Sequence, residues 1–253
     1  HATGFPERAG GVRPEARLRV FADPDRALPA VQLLSNGRYH VMLSSGGGGY
    51  SRRGELALTR WHEDITRDHW GSFCYVREVA SNACWSTAYQ PTCRKTEQFE
   101  AIFSEARAEF RVREREFDAH TEIVVSPEDD IELRRTHLTN RGRTRRTIEL
   151  TSYAEVVLAP PIADALHPAF SKLFVQTELV PELQAIVCSR RPRAHGEAPP
   201  SMFHLLAVHA PMSELVQHYL LPNRSGDPWD AVADLSGVVL GVTSVVVGRA
   251  LRR

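Results

Sequence analysis

Apolar and polar residues alternate with a period of two along much of this chain. A strand with one buried face and one wet face gives that pattern, and it is typical of antiparallel sheets. Five runs place the following residues on the faces predicted to be buried: Tyr39, Val41 and Leu43; Phe73, Tyr75 and Val79; Ala106, Ala108, Phe110 and Val112; Ala119, Thr121, Ile123 and Val125; Ile148, Leu150, Ser152, Ala154 and Val156.

Turn-forming clusters separate these runs at the spacing expected of a sandwich or barrel. They are Asn36-Gly37, Gly46–Gly49, Ser126–Asp130 and Asn140–Gly142. Helical periodicity is confined to a short stretch around Ile162–Leu166, between prolines. The prediction is therefore an all-β fold, a large antiparallel β-sandwich with at most one short helix. Long helices of the kind that Rossmann and TIM-barrel enzymes require are not expected.

Charge and composition narrow the possible partners. The 31 basic residues balance the 31 acidic ones, which argues against a nucleic-acid partner. The longest apolar stretch, Leu235–Gly248, contains three glycines and is shorter than the ~20 residues of a membrane-spanning helix. No leader follows His1, which suggests a fragment. The four cysteines are expected to be reduced, although Cys74 and Cys84 could face each other across a hairpin.

Aromatic residues concentrate between Leu33 and Gln90, where Trp61, Trp70 and Tyr50 are the candidates for stacking on a sugar ring. Ligand pockets combine apolar rings with a few placed polar groups. The alternative is that most of these rings pack in the core. The run Gly46–Gly49 allows the backbone to approach a ligand closely, or it is simply a flexible hairpin tip.

Carboxylates near these aromatics are the only hint of glycosidase-like chemistry. Glu63, Asp64 and Asp68 lie close in sequence to Arg60 and Arg67, so structural ion pairs that keep the carboxylates charged are the favoured interpretation. The acidic turn Glu128–Asp130 is expected to be solvated. No G-x-S-x-G motif and no histidine pattern for a metal occurs, so no catalytic residue, metal or cofactor is predicted.

Several long motifs resemble the amino-terminal sandwich of family 94 glycoside phosphorylases, formerly family 36 glycosyltransferases. They are LLSNGRYHVMLSSGGGGYS (33–51), LALTRWHEDITRDHWGSFCYVRE (56–78) and WSTAYQPT (85–92). Three further runs resemble the form of this domain inside cyclic β-1,2-glucan synthases: SPEDDIELRRTHLTN (126–140), ELTSYAEVVLAP (149–160) and HPAFSKLFVQTE (167–178).

This resemblance implies a galactose mutarotase-like super-β-sandwich that is normally followed by an (α/α)₆ barrel carrying the general acid and the phosphate site. It also implies that the G-G-G-Y-S loop reaches toward an active site, often that of a partner protomer, with Tyr50 substantially exposed at its tip. Together with the aromatic and charged candidates, the expected substrate-binding residues are Gly47, Gly48, Gly49, Tyr50, Ser51, Arg60, Trp61, Asp64 and Trp70.

Three ranges are predicted: a leader or linker over 1–32, the sandwich over 33–193, and irregular closing strands over 194–253, which truncation would explain. The expected function is a non-catalytic domain that binds or positions β-glucan oligosaccharides beside the barrel and membrane modules of a synthase, as a possible homodimer. The expected location is cytoplasmic, with the parent enzyme at the bacterial inner membrane. Two alternatives stay open: a stand-alone mutarotase-like enzyme acting on sugars, and a docking module without sugar affinity.

Overall fold

The computed structural model describes residues 18–64, 66–192 and 200–208 with their side chains, and the backbone alone of residues 209 and 237–246. These residues form seventeen strands: β1 Arg19–Phe21, β2 Val31–Ser35, β3 Tyr39–Ser44, β4 Gly49–Arg53, β5 Leu56–Thr59, β6 Ser72–Glu78, β7 Cys84–Ser86, β8 Gln98–Ser104, β9 Arg107–Glu114, β10 Phe117–Val125, β11 Ile131–Asn140, β12 Ile148–Ala154, β13 Val156–Ala159, β14 Val175–Val180, β15 Ala185–Arg190, β16 Ser201–His209 and β17 Gly237–Val246.

Every paired strand runs antiparallel to its neighbour, and the strands form three sheets. The largest has nine strands in the order β1-β8-β9-β10-β11-β17-β16-β15-β14. A five-stranded sheet has the order β13-β5-β4-β3-β2, and a three-stranded sheet has the order β12-β6-β7. The predicted all-β sandwich class is confirmed.

In the part of the chain that the structure describes, helix is confined to short segments between β13 and β15. The predicted short helix is present as α1, Pro161–Leu166. A second, α2, follows at Pro168–Lys172, and a 3₁₀ turn covers Pro181–Leu183. The limit of one short helix was therefore too low by one. The prolines explain both helices, because a proline at the first helical position has no N–H to leave unpaired.

The core lies between the sheets, and the predicted alternation places most of its residues correctly. In β9, Ala108, Phe110 and Val112 are buried, and in β10 the buried residues include Ala119 and Ile123. Trp85, Tyr39 and Phe103 are among the largest side chains that are almost fully buried. Trp85 packs on Phe117 with a ring separation of 5.6 Å, so this tryptophan belongs to the core.

The predicted buried face of β6 was correct at Phe73, which is buried, but wrong at Tyr75 and Val79. Cys74 and Val76 occupy the core face of this strand, whereas Tyr75 is only partly buried and Val79 is 47% exposed beyond the strand end. Tyr75 instead contacts Tyr153 of the neighbouring strand β12, with ring centroids 6.4 Å apart. Two aromatic residues paired on an outer sheet face look like a buried pattern in the sequence, because cross-strand pairing also favours them.

One buried polar cluster joins all three sheets. Glu132 of β11 is 2% exposed and pairs with Arg134 at 2.6 Å. Ser51 of the five-stranded sheet donates a hydrogen bond to Glu132 Oε2 at 2.5 Å, and Arg134 donates to the carbonyl of Ser72 in the three-stranded sheet at 2.6 Å. Because a buried carboxylate is costly unless it is paired, these partners fix how the sheets meet.

The predictions for the four cysteines and for the acidic turn Glu128–Asp130 have different outcomes. All four cysteines are free, as expected, with Cys74 buried and Cys84 exposed. Within the acidic turn, Asp130 is half-buried and pairs with Arg53 at 2.5 Å, so it is not simply solvated. The predicted ranges 1–32, 33–193 and 194–253 remain a prediction, although strands from all three pair in the nine-stranded sheet.

Candidate functional site

The glycine run forms a tight, buried connection between β3 and β4. Gly46, Gly47, Gly48 and Gly49 are all buried, so the prediction of an exposed loop tip is wrong. Gly49 has φ +151°, and a Cβ there would lie 1.8 Å from the carbonyl oxygen of Met42. Its amide donates to the carbonyl of Trp70 at 2.6 Å. Close backbone packing, rather than flexibility, is what requires glycine here.

The Asp68 side chain packs against this connection. The Ser44 hydroxyl donates to Asp68 Oδ2, and the Gly48 amide donates to Ser44 Oγ at 3.0 Å. A Cβ at Gly48 would lie 2.3 Å from Asp68 Oδ1. Burial raises the pKa of Asp68 above the ordinary aspartate value, against the hydrogen bond from Ser44. This shift is opposite to the one expected if Arg67 paired with the carboxyl, because Arg67 is exposed and Asp68 is partly desolvated.

Tyr50 lies on strand β4 opposite Met42, not at a loop tip. Its ring is half-buried and meets the ring of Trp61 edge-on, with centroids 5.6 Å apart and an interplanar angle of 67°. The Arg52 guanidinium lies 5.6 Å from the Tyr50 ring centroid. The expectation of a substantially exposed Tyr50 is corrected by these two contacts, which cover much of its ring.

A cavity of about 250 Å³ opens beside this aromatic pair. Tyr50, Ser51, Arg60 and Trp61, four of the predicted binding residues, line it. Trp61 is 36% exposed, so part of its ring is available to a ligand. The remaining lining comes from β4, β5, β13 and α1, that is, from Arg52, Ala57, Thr59, Val157, Pro161 and Asp164.

Arg60 anchors the segment that carries Trp61. Its guanidinium binds both oxygens of Asp164 at 2.7 Å, Glu155 Oε1 at 2.6 Å and the carbonyl of Pro168 at 3.2 Å. Burial alone would favour the neutral acid, but hydrogen bonds from Arg60 and Ser171 lower the pKa of Asp164. The predicted structural ion pair is therefore present, but with carboxylates about a hundred residues away instead of Glu63 or Asp64.

The other predicted residues lie outside the cavity lining. Asp64 is exposed and accepts hydrogen bonds from the Thr66 amide at 2.8 Å and hydroxyl at 2.6 Å, which lower its pKa. Trp70 is half-buried between the rings of His62 and His69, whose centroids are 5.0 and 4.6 Å away. Ser51, although it lines the cavity, is 2% exposed and directs its hydroxyl to Glu132. Gly47, Gly48 and Gly49 support the β3–β4 connection.

Sequence reasoning missed Asp164 and Glu155. Asp164 falls within the predicted helix and was not connected to Arg60, because no local spacing relates residues so far apart. For the buried cluster at Glu132 the sequence did contain a signal. In β11 the alternating positions that are buried include Glu132, Thr136 and Leu138. Polar residues that share a strand face with an apolar residue indicate a buried polar cluster.

Comparison with known proteins places the chain in a family. The sequence profile of the glycosyl hydrolase 94 supersandwich domain matches residues 14–218. The chain belongs to this family. The supersandwich is also similar to part of a protein named cyclic beta-(1,2)-glucan synthase NdvB from Rhizobium meliloti (strain 1021), with 38% identity over 199 residues. That alignment covers 79% of the chain and 7% of the synthase. The predicted family is confirmed.

Two more distant relatives are N,N'-diacetylchitobiose phosphorylases. The protein from Vibrio furnissii is 23% identical over 167 residues, covering 64% of the supersandwich chain and 21% of the enzyme. The protein from Vibrio proteolyticus is 24% identical over 144 residues, covering 55% and 18%. The chain thus spans less than a quarter of the length of each of these relatives. None of the helices in the described part of the chain has the length and apolar character needed to cross a membrane.

Proposed function

We propose that this supersandwich is a non-catalytic domain that binds a β-glucan chain and positions it for other modules of a cyclic β-1,2-glucan synthase. The family assignment and the likeness to a named synthase support the enzyme class. The cavity beside Tyr50 and Trp61 supports the binding role, and it is the observation on which the proposal rests.

The cavity has the chemistry that a pyranose ring requires. Sugar rings present apolar faces of C–H groups, which stack on aromatic rings, and a rim of hydroxyls, which need hydrogen-bonding partners. Trp61 offers a partly exposed ring supported by Tyr50, and Arg52 stands beside them. At about 250 Å³ the cavity is slightly below the ~300–1,000 Å³ of typical ligand pockets, so it suits one sugar unit of a longer chain.

The predicted G-G-G-Y-S residues take different parts in this proposal. Tyr50 contributes the ring that supports Trp61, while Gly47, Gly48 and Gly49 form the packed turn that starts β4 in the correct place. Ser51 points into the core and connects β4 to Glu132. Arg60 fixes the Trp61 backbone through its pairs with Asp164 and Glu155. Asp64 and Trp70 belong to the same β5–β6 connection and would lie at the edge of a longer ligand.

A scaffold also needs surfaces for its neighbours. The two short helices and the residue that follows them expose several large apolar side chains, at 57–71% of their surface: Ile162, Leu166, Phe170 and Leu173. Exposed apolar groups of this kind often mark protein contacts. This surface is where we propose that an (α/α)₆ barrel packs, with membrane modules and a cytoplasmic position at the inner membrane belonging to the parent enzyme. A homodimer would use the same kind of contact.

The alternative of a stand-alone sugar-active enzyme has one observation in its favour. His120 Nε2 lies 2.8 Å from Glu109 Oε2 on the nine-stranded sheet, and such a pair could exchange protons with a sugar. However, Arg107 also binds Glu109 at 2.8 Å, and an arginine partner makes a carboxylate a weaker base. We therefore favour binding without catalysis. The chain alone should release no glucose-1-phosphate from β-1,2-gluco-oligosaccharides in phosphate buffer, compared with a heat-inactivated control.

Calorimetric titration of the chain with β-1,2-gluco-oligosaccharides tests the binding role. Trp61→Ala should weaken binding about fivefold, since a stacking ring contributes on the order of 1 kcal/mol. Tyr153→Ala is the matched control, because Tyr153 is an aromatic residue that is 47% exposed and does not line the cavity. Unchanged affinity in the Trp61 variant, or no binding by the unmodified chain, would leave docking without sugar affinity as the function.

A further inference from the structure

The outer face of the nine-stranded sheet carries a second cavity, of about 750 Å³. It lies over strands β8 to β11 and shares no lining residue with the cavity at Trp61. Its volume falls within the ~300–1,000 Å³ range of ligand pockets. The notable feature is that polar side chains line it on the face opposite the apolar core.

Strand register arranges these side chains in two rows across four strands. Residues directly opposite each other in paired strands share a face. One row therefore consists of Glu100, Arg111, His120 and His137. The other, two residues away along each strand, consists of Gln98, Arg113, Asp118 and Thr139. All eight residues line the cavity.

The charges of the rows balance. Arg111 and Arg113 stand against Glu100 and Asp118, and Arg113 binds Asp118 with Nε to Oδ1 at 2.7 Å and Nη2 to Oδ2 at 3.3 Å. Arg111 lies 3.9 Å from Glu100 and 3.6 Å from Glu109. A face with paired charges attracts neither polyanions nor cations strongly. It does present donors and acceptors at regular intervals, since neighbouring strands are about 4.8 Å apart.

Next to His120, two carboxylates form a cluster that could hold a metal ion, but arginine side chains already occupy it. Glu109, His120 and Glu122 each offer a ligand atom, and these atoms lie within 4.8 Å of one another. Arg107 already bridges the two carboxylates, at 2.8 Å from Glu109 and 3.0 Å from Glu122, and Arg135 also binds Glu122. A cation would have to displace these guanidinium groups. Glu109 is 5% exposed, although alternation predicted a wet position, because its ion-pair partners cover it.

We propose that the two rows form a second binding surface, for a neutral polyhydroxylated ligand, that is, a saccharide chain lying across strands β8 to β11. Hydroxyl groups both donate and accept, so they match alternating arginine, carboxylate, histidine and threonine groups without requiring a net charge. No tryptophan, tyrosine or phenylalanine lies in either row, so binding here depends mainly on hydrogen bonds. The surface does not depend on the cavity at Trp61 and would bind a separate part of a chain.

The test uses the Trp61→Ala chain, which lacks the other proposed binding ring. Titration with a neutral β-1,2-gluco-oligosaccharide, followed by amide NMR, should shift signals of β8 to β11. Adding Arg111→Ala and His137→Ala should weaken the affinity that these shifts report at least about tenfold, because a hydrogen bond to a charged group such as the Arg111 guanidinium is worth about a factor of ten or more. Arg77→Ala, an exposed arginine on the three-stranded sheet, is the matched control and should change nothing.

The possible outcomes separate this inference from the first proposal. No shift on β8 to β11, unchanged shifts in the Arg111/His137 variant, or tighter binding of inorganic phosphate than of the saccharide would each overturn the second surface. If the unmodified chain binds saccharide only through β8 to β11, the second surface stands and the role of the Trp61 cavity fails. Thermal melting of each variant confirms that the exposed substitutions leave the fold intact.

Discussion

The two proposed binding surfaces are built in different ways. The cavity at Trp61 draws its lining from β4, β5, β13 and α1, and it depends on a buried arginine–carboxylate cluster and a packed glycine turn. The rows over β8 to β11 come mainly from one run of adjacent strands, and register alone places them. Their charged groups form exposed or half-buried pairs. The shape of the first surface thus depends on buried contacts behind it. The second surface depends only on the pairing of the strands that display its side chains.

This difference predicts different responses to mutation. A substitution beneath the cavity removes buried contacts and should lower the free energy of unfolding. A substitution in the rows removes exposed ion pairs, which typically contribute ~0–1 kcal/mol to stability, so it should change binding alone.

The largest effect is expected at Gly49. Gly49→Ala would bring a Cβ within 1.8 Å of the Met42 carbonyl oxygen, which is backbone and cannot move aside. We expect a loss of about 5 kcal/mol or more, or failure to fold. Gly54→Ala is the control, because its φ is also positive but no atom lies within 4 Å of the added Cβ. Chemical denaturation of both variants measures the difference; equal losses would contradict the packed turn.

The next largest loss of stability is expected for Arg60→Ala. It leaves the Asp164 carboxylate buried without its bidentate partner, and breaking a buried pair typically costs about 3–5 kcal/mol. The comparison is Arg111→Ala, since Arg111 is 54% exposed in the first row of the other surface, 3.9 Å from the exposed Glu100. Arg111→Ala should cost under about 1 kcal/mol. A similar cost for the two variants, measured by urea denaturation, would mean that the surfaces are not supported differently.

The sequence pattern predicted well which side chains of the central strands β9 and β10 face the core. Period-two alternation identified β9 and β10 with the correct faces, because burial of Phe110 and Ile123 depends only on neighbouring positions along each strand. It also implied that Arg111 and His120 point outward. It did not give their alignment, since register depends on which strands pair and where each hairpin turns.

Prediction from the sequence failed where contacts between residues far apart in the chain determine a side chain's environment. Tyr50 follows four glycines, which suggested an exposed tip, but the glycines are packed against Ala88, Asp68 and Met42. The partner of Arg60 lies on α1 and not beside it in sequence. Trp61 could be chosen as a binding residue from its type and neighbours, but the cavity beside it depends on β13 and α1, which no local pattern connects to β5.

A moderate effect is expected for Tyr50→Ala. The sequence alone suggested a change within about 0.5 kcal/mol, as for an exposed residue. The edge contact with Trp61 and the guanidinium of Arg52 indicate a loss nearer 1 kcal/mol. Thermal and urea denaturation should agree on this value. A change below 0.5 kcal/mol, within the range of ordinary surface substitutions, would restore the exposed-tip interpretation.

A smaller, pH-dependent effect is expected at Asp68. Because burial raises its pKa, the folded chain holds this proton more tightly than the unfolded chain does. The stability that the protonated carboxyl provides is complete below the ordinary aspartate pKa of about 4 and is lost as pH rises through the raised pKa. Asp68→Asn should therefore become more stable relative to the unmodified chain above that window, by less than about 1 kcal/mol. A constant difference between pH 4 and pH 7 would contradict this assignment.

The most direct test of the binding role follows the indole N–H signals of the tryptophans by NMR during titration with a β-1,2-gluco-oligosaccharide, with Trp61→Phe assigning the signal of Trp61. The account predicts that the Trp61 signal shifts and saturates, because its ring is partly exposed beside the cavity. The signal of Trp85, which is 2% exposed in the core, should stay unchanged. A stationary Trp61 signal up to saturating saccharide would contradict the account.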